Sequence, residues 1–410
     1  MMQVPLPDDV EAYGRIVTGR TDSFASADMS AHATALADGI RGRRLLVIGG
    51  AGSIGSAAVI RLARYGPECL HVVDHNENAL VELVRTLRSG LALKRVDDFR
   101  TWSIDFGADE MRALISAQPR YDAVLNLAAI KHVRSEKDAI SIMHLVNTNI
   151  LKPRRLLEWM RRSGKGGCYF AVSTDKAAAP INLMGASKRL MEDVVLRLEP
   201  FDGDARRTTA RFPNVAFSRG SLLDGFLNRL AKRQPLACPK DARRFFISLE
   251  ESADICLLAT FCADSGTITI PRDGVLSPSL MTDVVTKLLG HFGLEPVEYQ
   301  DVESASAGLE GEVGRGRYPI LLTALDTTGE KANEQFTAPG EIVEDMNWTS
   351  LVGLRPCPTD SALLLRCLDQ LERFRHAGQI VDKTAVIETV LSVIPEFRHR
   401  ETHRNLDMRA

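Results

Sequence analysis

Four side chains with acid, base and hydroxyl chemistry lie together in residues 169–192 of this 410-residue chain. An apolar run ends at Thr174, Asp175 and Lys176 follow at once, and Lys188 comes twelve residues later. A carboxylic acid, an amine and a hydroxyl in one segment can move protons on a bound substrate. The apolar run before them predicts that Asp175 and Lys176 are buried. The alternative is a surface ion pair that contributes under about 1 kcal/mol.

A second chemical signal is a glycine-rich turn far upstream, in the sequence GGAGSIGS. Gly49, Gly52 and Gly55 are spaced G-x-x-G-x-x-G between a predicted strand and a helix that begins near Ser53 and Ile54. Such glycines permit a tight turn, close approach to a pyrophosphate and close packing of helix on strand. The positive end of the helix dipole favours phosphate at the same place. The turn therefore predicts a dinucleotide site.

Carboxylates at the ends of the next two predicted strands refine the choice of cofactor. Asp74 ends the second strand 22 residues after Gly52, where it can accept both ribose hydroxyls and repel a 2′-phosphate. NAD is therefore favoured over NADP, and the alternative for Asp74 is a solvated turn residue. Asp105 is predicted to end the third strand and to reach the adenine. Ala128 and Ala129 follow the fourth strand and leave room for the cofactor.

The elements that position these residues alternate from Arg44 onward, strand then helix. Short continuous apolar runs are typical of buried parallel strands. We therefore predict an α/β fold, a doubly wound parallel (Rossmann) sheet with a smaller mixed α/β lobe and an N-terminal helical extension. The predicted division is an N-terminal extension over 1–43, an NAD-binding domain over 44–220, a substrate lobe over 221–382 interleaved with the core, and a C-terminal helix and charged tail over 383–410. Within it we predict strands at 70–74, 101–105, 123–129, 168–174 and 208–217, a long helix over 141–162, and a loop over 304–316.

Composition excludes several classes of protein. The hydrophobic fraction is 45%, the charged fraction 25% and the net charge −2, as in a globular protein without long-range attraction for nucleic acid or anionic membrane. No apolar run approaches the ~20 residues of a membrane span. Seven cysteines without a C-x-x-C pair favour reduced thiols and a cytoplasmic location. No Cys/His ligand spacing indicates a metal site.

Several motifs together resemble the extended short-chain dehydrogenase/reductases of polysaccharide biosynthesis, and more narrowly the UDP-N-acetylglucosamine 4,6-dehydratases. The motifs cover roughly residues 44 to 335 and include GGAGSIGS, NLAAIKHVRSEKD, STDKAAAPINLMGASKRLME, RFPNVAFSRGS, RRFF and TGEK. Larger members carry membrane helices ahead of the catalytic domain, and this sequence has none. Pro213 stands where glycine is common, and Met184 replaces the tyrosine of the family's Tyr-x-x-x-Lys pair with Lys188.

The resemblance implies oxidation at C4 of a nucleotide sugar, loss of water across C5 and C6, and return of hydride to C6, with NAD bound throughout. It implies that Thr174 hydrogen-bonds the C4 oxygen, Asp175 protonates the departing C6 hydroxyl and Lys176 removes the C5 proton. Burial is expected to lower the pKa of Lys176 enough to free its amine. Lys188 is expected on the nicotinamide ribose. With Met184 inert, the C4 proton passes to Thr174, Asp175 or a water.

The resemblance also implies a binding site for a UDP-sugar. It places Lys131 and His132 near the sugar or cofactor, and it assigns the UDP half to donors and carboxylates: Asn214, Arg219, Ser221, Arg244 and Glu330. Structural or solvated polar roles are the alternative for each. A homo-oligomer is expected. Two other functions stay open: a nucleotide-sugar 4-epimerase, and an NAD-binding regulator without catalytic activity, which Met184 favours.

Overall fold

A nine-stranded sheet runs through the centre of the molecule in the computed structural model, which describes residues 10–165, 167–198, 205–326, 328–399 and 401–402. The strands in chain order are β1 Arg44–Ile48, β2 Cys69–Asp74, β3 Asp98–Ser103, β4 Ala123–Asn126, β5 Cys168–Thr174, β6 Arg207–Phe212, β7 Asn214–Val215, β8 Leu236–Pro239, β9 Arg243–Arg244, β10 Phe246–Ile247, β11 Ile268–Pro271, β12 Ser279–Leu280, β13 Glu295–Tyr299, β14 Arg317–Thr323, β15 Ile342–Glu344 and β16 Leu351–Arg355.

The order of strands in this sheet is β15-β16-β11-β6-β5-β4-β1-β2-β3. The seven strands from β11 to β3 are parallel, and β16 and β15 add an antiparallel edge. Strand order reverses between β1 and β4, where ligands bind in open sheets of this kind. The predicted doubly wound parallel sheet is confirmed.

Helices cover both faces of the sheet. They are α1 Val10–Thr18, α2 Ser26–Ala31, α3 Ala33–Ile40, α4 Ser53–Arg64, α5 Glu77–Ser89, α6 Asp109–Ala117, α7 Ala139–Val146, α8 Lys152–Arg162, α9 Leu183–Arg197, α10 Leu222–Ala231, α11 Leu249–Phe261, α12 Met281–His291, α13 Val302–Val313, α14 Ser361–His376 and α15 Lys383–Leu391. None of them is long and apolar enough to cross a bilayer, as far as the described residues go.

Two buried cores lie on the two faces because side chains alternate along each strand. In β1, Leu45 and Val47 pack with α3, α4, α5 and α11. Leu46 and Ile48 pack on the other face with α6 to α9 and, from the end of the chain, α14 and α15. The continuous apolar runs of the sequence are thus explained by burial on both sides.

A smaller lobe has its own parallel sheet of β13, β14 and β8. Its core joins α10, α12 and the N-terminal helix α1, whose Tyr13 and Val17 are buried there. Strands β11, β15 and β16 return to the central sheet between and after the lobe's segments. The region 221–382 therefore contributes strands both to the sheet of the smaller lobe and to the central sheet.

Five predicted elements differ from the structure. The strand predicted over 123–129 ends at Asn126, and the strand predicted over 208–217 is divided into β6 in the central sheet and β7, which pairs with β10. Residues 304–313 of the predicted loop lie in α13. Asp301 caps this helix at Ser304 N (2.7 Å), and Gly308 leaves room for the Tyr299 hydroxyl, 2.4 Å from where a Cβ would stand. The helix predicted over 141–162 is interrupted by a π-helical turn at Asn147–Leu151. Strand β3 ends at Ser103, before the residue predicted to end it.

Candidate active site

The glycine turn, residues 49–55, connects β1 to α4 at the carboxyl edge of the sheet. Gly49 has φ +73°, and a Cβ there would lie 2.6 Å from the backbone N of Ala128. A Cβ on Gly55 would lie 2.1 Å from the carbonyl oxygen of Gly49. The turn thus packs closely on itself at Gly55 and against the segment after β4 at Gly49, which only glycine at these positions allows.

Helix α4 begins within this turn, with Gly52 as N-cap and Ser53 and Ile54 as the first helical residues. First-turn amides have no partner inside a helix and form a site for phosphate. Arg219 lies here too: its backbone N donates to Ser53 Oγ at 2.9 Å and its guanidinium to the Ala51 carbonyl at 3.2 Å. The structure therefore places Arg219 at the glycine turn, whereas Ser221, two residues later, lines a different cavity with the other residues predicted to bind UDP.

A cavity of about 370 Å³, the dinucleotide cavity, opens beside the turn. Its lining includes the predicted cofactor residues Gly49, Gly52, Asp74, Asp105, Ala128 and Ala129. Asp74 is 7% exposed, and its two oxygens accept from the backbone N of Ala51 (3.0 Å) and Asn76 (2.9 Å). Turn, carboxylate and cavity together fit an NAD molecule.

Asp105 lies in the loop after β3, where it borders this cavity. Its carboxylate accepts from Lys152 Nζ at 2.5 Å and from the backbone N of Gly107 at 2.8 Å. Burial alone would raise the pKa of Asp105, but these two hydrogen bonds outweigh burial and lower it. Asp105 is thus an anion that anchors Lys152 to the cavity rim.

Asp175 and Lys176 follow β5 on the same edge of the sheet, in a 3₁₀ turn over Asp175–Ala177. The turn breaks the alternation of a strand, so neighbouring side chains meet. Asp175 Oδ1 accepts from Thr174 Oγ1 (2.8 Å) and from Lys176 Nζ (2.9 Å). Asp175 is fully buried and the Lys176 side chain is 19% exposed. The predicted proton-transfer residues are therefore in contact, in a place poor in water.

A buried carboxylate that the motif reading missed completes this group. Glu334 Oε1 lies 3.7 Å from Lys176 Nζ, and its Oε2 lies 3.7 Å from Lys331 Nζ. Lys331 also donates to the Ala179 carbonyl. We call Thr174, Asp175, Lys176 and Glu334 the proton-transfer cluster. These residues line neither the dinucleotide cavity nor the substrate cavity described below, so their joint access to the nicotinamide stays a prediction.

The charge of Lys176 differs from the expectation. Burial alone would lower its pKa, but the carboxylates of Asp175 and Glu334 outweigh burial and raise it. Burial raises the pKa of Glu334, against the opposing effect of Lys176. The expectation of a lowered pKa for Lys176 is thus wrong, because two carboxylates meet its amine where the sequence indicated one.

Lys188 and Met184 lie on α9 behind the proton-transfer cluster. Lys188 Nζ donates to the carbonyl of Val172 at 2.9 Å, and burial lowers its pKa to about 8. Met184 is 2% exposed and packs in the core, with its backbone N donating to Glu136 Oε1 at 3.2 Å. A thioether so enclosed is a packing group at this position.

A second cavity of about 330 Å³, which we call the substrate cavity after its predicted ligand, is lined by residues of β7 to β10, of α10 and of the lobe strand β14. Four predicted substrate residues line it together: Asn214, Ser221, Arg244 and Glu330. The Arg244 guanidinium donates to the carbonyls of Lys331 (2.8 Å) and Ala332 (2.9 Å), which fixes it to the segment that carries Glu330 and Glu334. The cavity therefore offers both a fork-shaped cation and a carboxylate to one ligand.

Lys131 and His132 follow β4 and approach the loop that carries Arg219. Lys131 Nζ donates to Ser218 Oγ (3.3 Å) and to the carbonyl of Arg219 (2.7 Å). Burial lowers the pKa of both Lys131 and His132. Neither lines the substrate cavity. Both residues lie instead beside the loop that carries Arg219, which contacts the glycine turn.

Asn149 is a further residue that shapes the site and that no sequence motif indicates. It lies in the π-helical turn, where its side chain accepts from Ile130 N and donates to the Ile130 carbonyl, both at 2.9 Å. The same amide donates to Ser187 Oγ at 2.9 Å. Asn149 thus fixes the loop after β4 to α9. A polar residue inside an apolar helical run is the signal that could have found it.

Cys69, His71 and Asp98 could together offer three metal ligands within 4.8 Å, at the opposite edge of the sheet. Both ring nitrogens of His71 are already engaged, with Tyr121 Oη at 2.7 Å and Asp98 Oδ2 at 3.1 Å. Burial also raises the pKa of the Cys69 thiol to about 11, which disfavours the thiolate that a metal needs. The hydrogen bonds of His71 thus explain its position beside Asp98 without a metal ion.

The family model of polysaccharide biosynthesis proteins matches residues 45–339. The chain belongs to this family. The match contains the glycine turn, the proton-transfer cluster and the residues named in both cavities, so the resemblance seen in the sequence is confirmed at this level.

Curated relatives have several names. An uncharacterized membrane protein of Methanocaldococcus jannaschii is 32% identical over 267 residues, 64% of this chain and 75% of that protein. A UDP-N-acetylglucosamine 4,6-dehydratase (inverting) of Campylobacter jejuni is 28% identical, over 56% of this chain and 67% of that one. A UDP-glucose 4-epimerase of Rickettsia conorii is 27% identical, over 60% and 70%. Some relatives are longer: the chain spans only 54% of the probable polysaccharide biosynthesis protein EpsC of Bacillus subtilis, at 26% identity over 85% of this chain.

Solved structures share the fold. Pen from Bacillus thuringiensis superposes with a TM-score of 0.63 at 21% identity, over 78% of this chain and 89% of that one. WbmF of Bordetella bronchiseptica, in complex with NADH, gives a TM-score of 0.50 at 20% identity, over 62% and 78%. The glycine turn and Asp74 agree with the prediction of NAD as cofactor. The family match and the named relatives together support a nucleotide-sugar-modifying enzyme of polysaccharide biosynthesis.

Proposed function

We propose that the protein is an NAD-dependent nucleotide-sugar 4,6-dehydratase that acts on a UDP-N-acetylhexosamine, with UDP-GlcNAc as the first candidate. The observation that carries this proposal is the buried contact between Asp175 and Lys176 at the end of β5. Elimination of water across C5 and C6 needs an acid and a base side by side. A 4-epimerase needs neither at C6.

The chain's own residues supply the proton steps. Thr174 Oγ1 donates to Asp175 Oδ1, so a proton released at the C4 oxygen has a path through Thr174 to Asp175. Asp175 then holds the proton that the departing C6 hydroxyl requires. Lys176 takes the C5 proton. Bound NAD would accept the hydride from C4 and return it to C6. The path through Thr174 accounts for Met184, since no phenol is then needed.

The substrate cavity supports a UDP ligand. The Arg244 guanidinium can pair with a pyrophosphate, and Glu330 can accept from ribose hydroxyls or the base. Asn214 and Ser221 add amide and hydroxyl donors. Arg244 lines this cavity, and its charge acts on both Lys176 and Glu334, which supports a ligand near the proton-transfer cluster.

A direct assay tests the proposal. Purified protein is incubated with NAD and UDP-GlcNAc, and the product is examined by NMR for a 4-keto group and a C6 methyl. The expected product carries both, and UDP-glucose is the control for the acetamido group. Absence of turnover on UDP-, GDP- and dTDP-sugars would contradict the proposal and support a non-catalytic NAD-binding protein.

A nucleotide-sugar 4-epimerase is the second candidate, favoured by the relatives that have this name. It would invert C4 and leave the C6 hydroxyl in place. Inversion without a C6 methyl in the same NMR assay would decide for it. The expected homo-oligomer stays a prediction, which light scattering of the purified protein tests.

A further inference from the structure

We propose that Glu334 takes the proton from the Lys176 ammonium group once Asp175 has been protonated, so that Lys176 becomes the neutral amine that removes the C5 proton. The inference rests on the proposed dehydratase function. Glu334 acts through Lys176 and is therefore a positioning residue for the base.

The geometry places one amine between two buried carboxylates. Lys176 Nζ lies 2.9 Å from Asp175 Oδ1 and 3.7 Å from Glu334 Oε1. Asp175 Oδ2 and Glu334 Oε2 are buried and have no hydrogen-bond partner among the described residues. Unsatisfied buried oxygens are costly, so their presence in a site needs a reason. Each of these carboxylates therefore has an oxygen that makes no hydrogen bond in the described part of the chain and can bind a proton.

The proton balance follows from this arrangement. At rest the ammonium of Lys176 is stabilised by two carboxylates. When Asp175 takes the proton released from the C4 hydroxyl, Lys176 loses one of these partners, and Glu334 becomes its nearest charged acceptor. Transfer to Glu334 frees the amine.

The remaining steps restore the starting state. Lys176 takes the C5 proton and Asp175 gives its proton to the C6 hydroxyl, which leaves as water. After hydride return, Lys176 gives its proton back to C5, and Glu334 returns the proton that it held. One water leaves, and no outside acid or base is consumed.

Other charges around Glu334 fit this role. Lys331 Nζ lies 3.7 Å from Glu334 Oε2, and Arg244 adds positive charge that favours the ionised form. Burial and the charge of Asp175 oppose ionisation, and the net effect is a raised pKa for Glu334. Because Glu334 must be ionised to accept a proton, dehydration should be lost as pH falls through this raised pKa.

The first test measures two steps separately in the wild-type protein. Single-turnover C4 oxidation is followed by the absorbance of reduced nicotinamide, and dehydration by the C6-methyl product. With falling pH, dehydration should lose rate at a higher pH than C4 oxidation does. If both steps lose rate together, the inference is wrong. This arm needs no variant and is unaffected by folding defects.

The second test uses Glu334→Gln, which keeps size and polarity but accepts no proton. C4 oxidation should stay close to the wild-type rate, while dehydration falls about 10²-fold. The acidic limb due to Glu334 should disappear, and the residual rate should rise with pH as Lys176 itself deprotonates. Glu334→Asp should keep the limb. A wild-type dehydration rate, or equal loss of both steps, in Glu334→Gln would overturn the inference.

Glu341 offers the matched control, because it is a buried carboxylate on the same stretch of chain that pairs with Arg211 instead of Lys176. Glu341→Gln should lower the melting temperature and leave the pH dependence of dehydration unchanged. If the wild type gives no dehydrated product, the proposed function fails. In that case ¹³C NMR of ε-labelled lysine still tests the contact: the Lys176 titration midpoint should be lower in Glu334→Gln, and an unchanged midpoint would contradict it.

Discussion

The glycine turn and the proton-transfer cluster lie at the same edge of one sheet but are built in different ways. The turn is one continuous stretch that depends on the conformation of its backbone, with Gly49 at φ +73° against Ala128. The cluster joins Lys176 to Glu334, 158 residues later in the sequence, and depends on side-chain charge. A backbone site of this kind can be predicted from the local sequence, whereas the approach of Glu334 to Lys176 can be identified only in the folded chain.

The largest expected effect comes from replacing Lys176, the proposed base, and it should separate the two regions. Lys176→Ala should lower product formation by about 10²–10⁴-fold, because general base catalysis is lost. NAD affinity should be unchanged, since the turn does not contact Lys176. Rates come from NMR and affinity from calorimetry. Lys287→Ala, an exposed lysine on α12, is the control. Undiminished turnover in Lys176→Ala would refute the base assignment.

A change at Arg211 tests which ion pairs anchor the segment that carries Glu334. Arg211 is fully buried and pairs with Glu192 (2.8 Å) and Glu341 (2.6 Å), and it also donates to the Phe336 carbonyl next to Glu334's segment. Arg211→Met leaves two buried carboxylates unpaired, at a cost of about 3–5 kcal/mol in the free energy of unfolding. Urea unfolding measures this loss. Exposed Arg315→Met should cost far less, and equal losses in both variants would contradict the assigned anchoring role.

A change at Asp74 affects the other region. Asp74→Ala removes a carboxylate predicted to accept ribose hydroxyls, and it also frees the backbone N of Ala51. Loss of charged hydrogen bonds of about 1.5–3 kcal/mol should weaken NAD binding by about ten- to hundredfold. Product formation at saturating NAD should change less. A large loss at saturation with unchanged NAD affinity would show that the two regions are not separable in this way.

The smallest effect concerns Lys188. Its pKa of about 8 is below the ordinary lysine value, so its positive charge is present below pH 8 and lost as pH rises through that value. If this charge assists C4 oxidation, the oxidation rate should fall above pH 8. Lys188→Arg, which stays charged, should remove that alkaline limb. An unchanged limb in Lys188→Arg would assign it to another group.

The sequence allowed the strand–helix alternation, the glycine turn and the burial of Asp175 and Lys176 to be predicted, because each depends on neighbours along the chain. Glu334 could not be predicted, since nothing local indicates that its carboxylate reaches Lys176. The motif predicts Arg219 as a UDP ligand, but no local signal indicates its hydrogen bond to Ser53. Helix α13 was missed because its glycine and serine content is typical of loops, and the contact of Gly308 with Tyr299 is long-range information.

The most direct test of the account is turnover of UDP-GlcNAc in D₂O with the wild-type protein and NAD, read by NMR. The account predicts a 4-keto product with deuterium incorporated at C5 and a C6 methyl group that contains the hydrogen removed from C4. A C4-inverted sugar with protium at C5, or a 4-keto sugar that keeps its C6 hydroxyl, would contradict it.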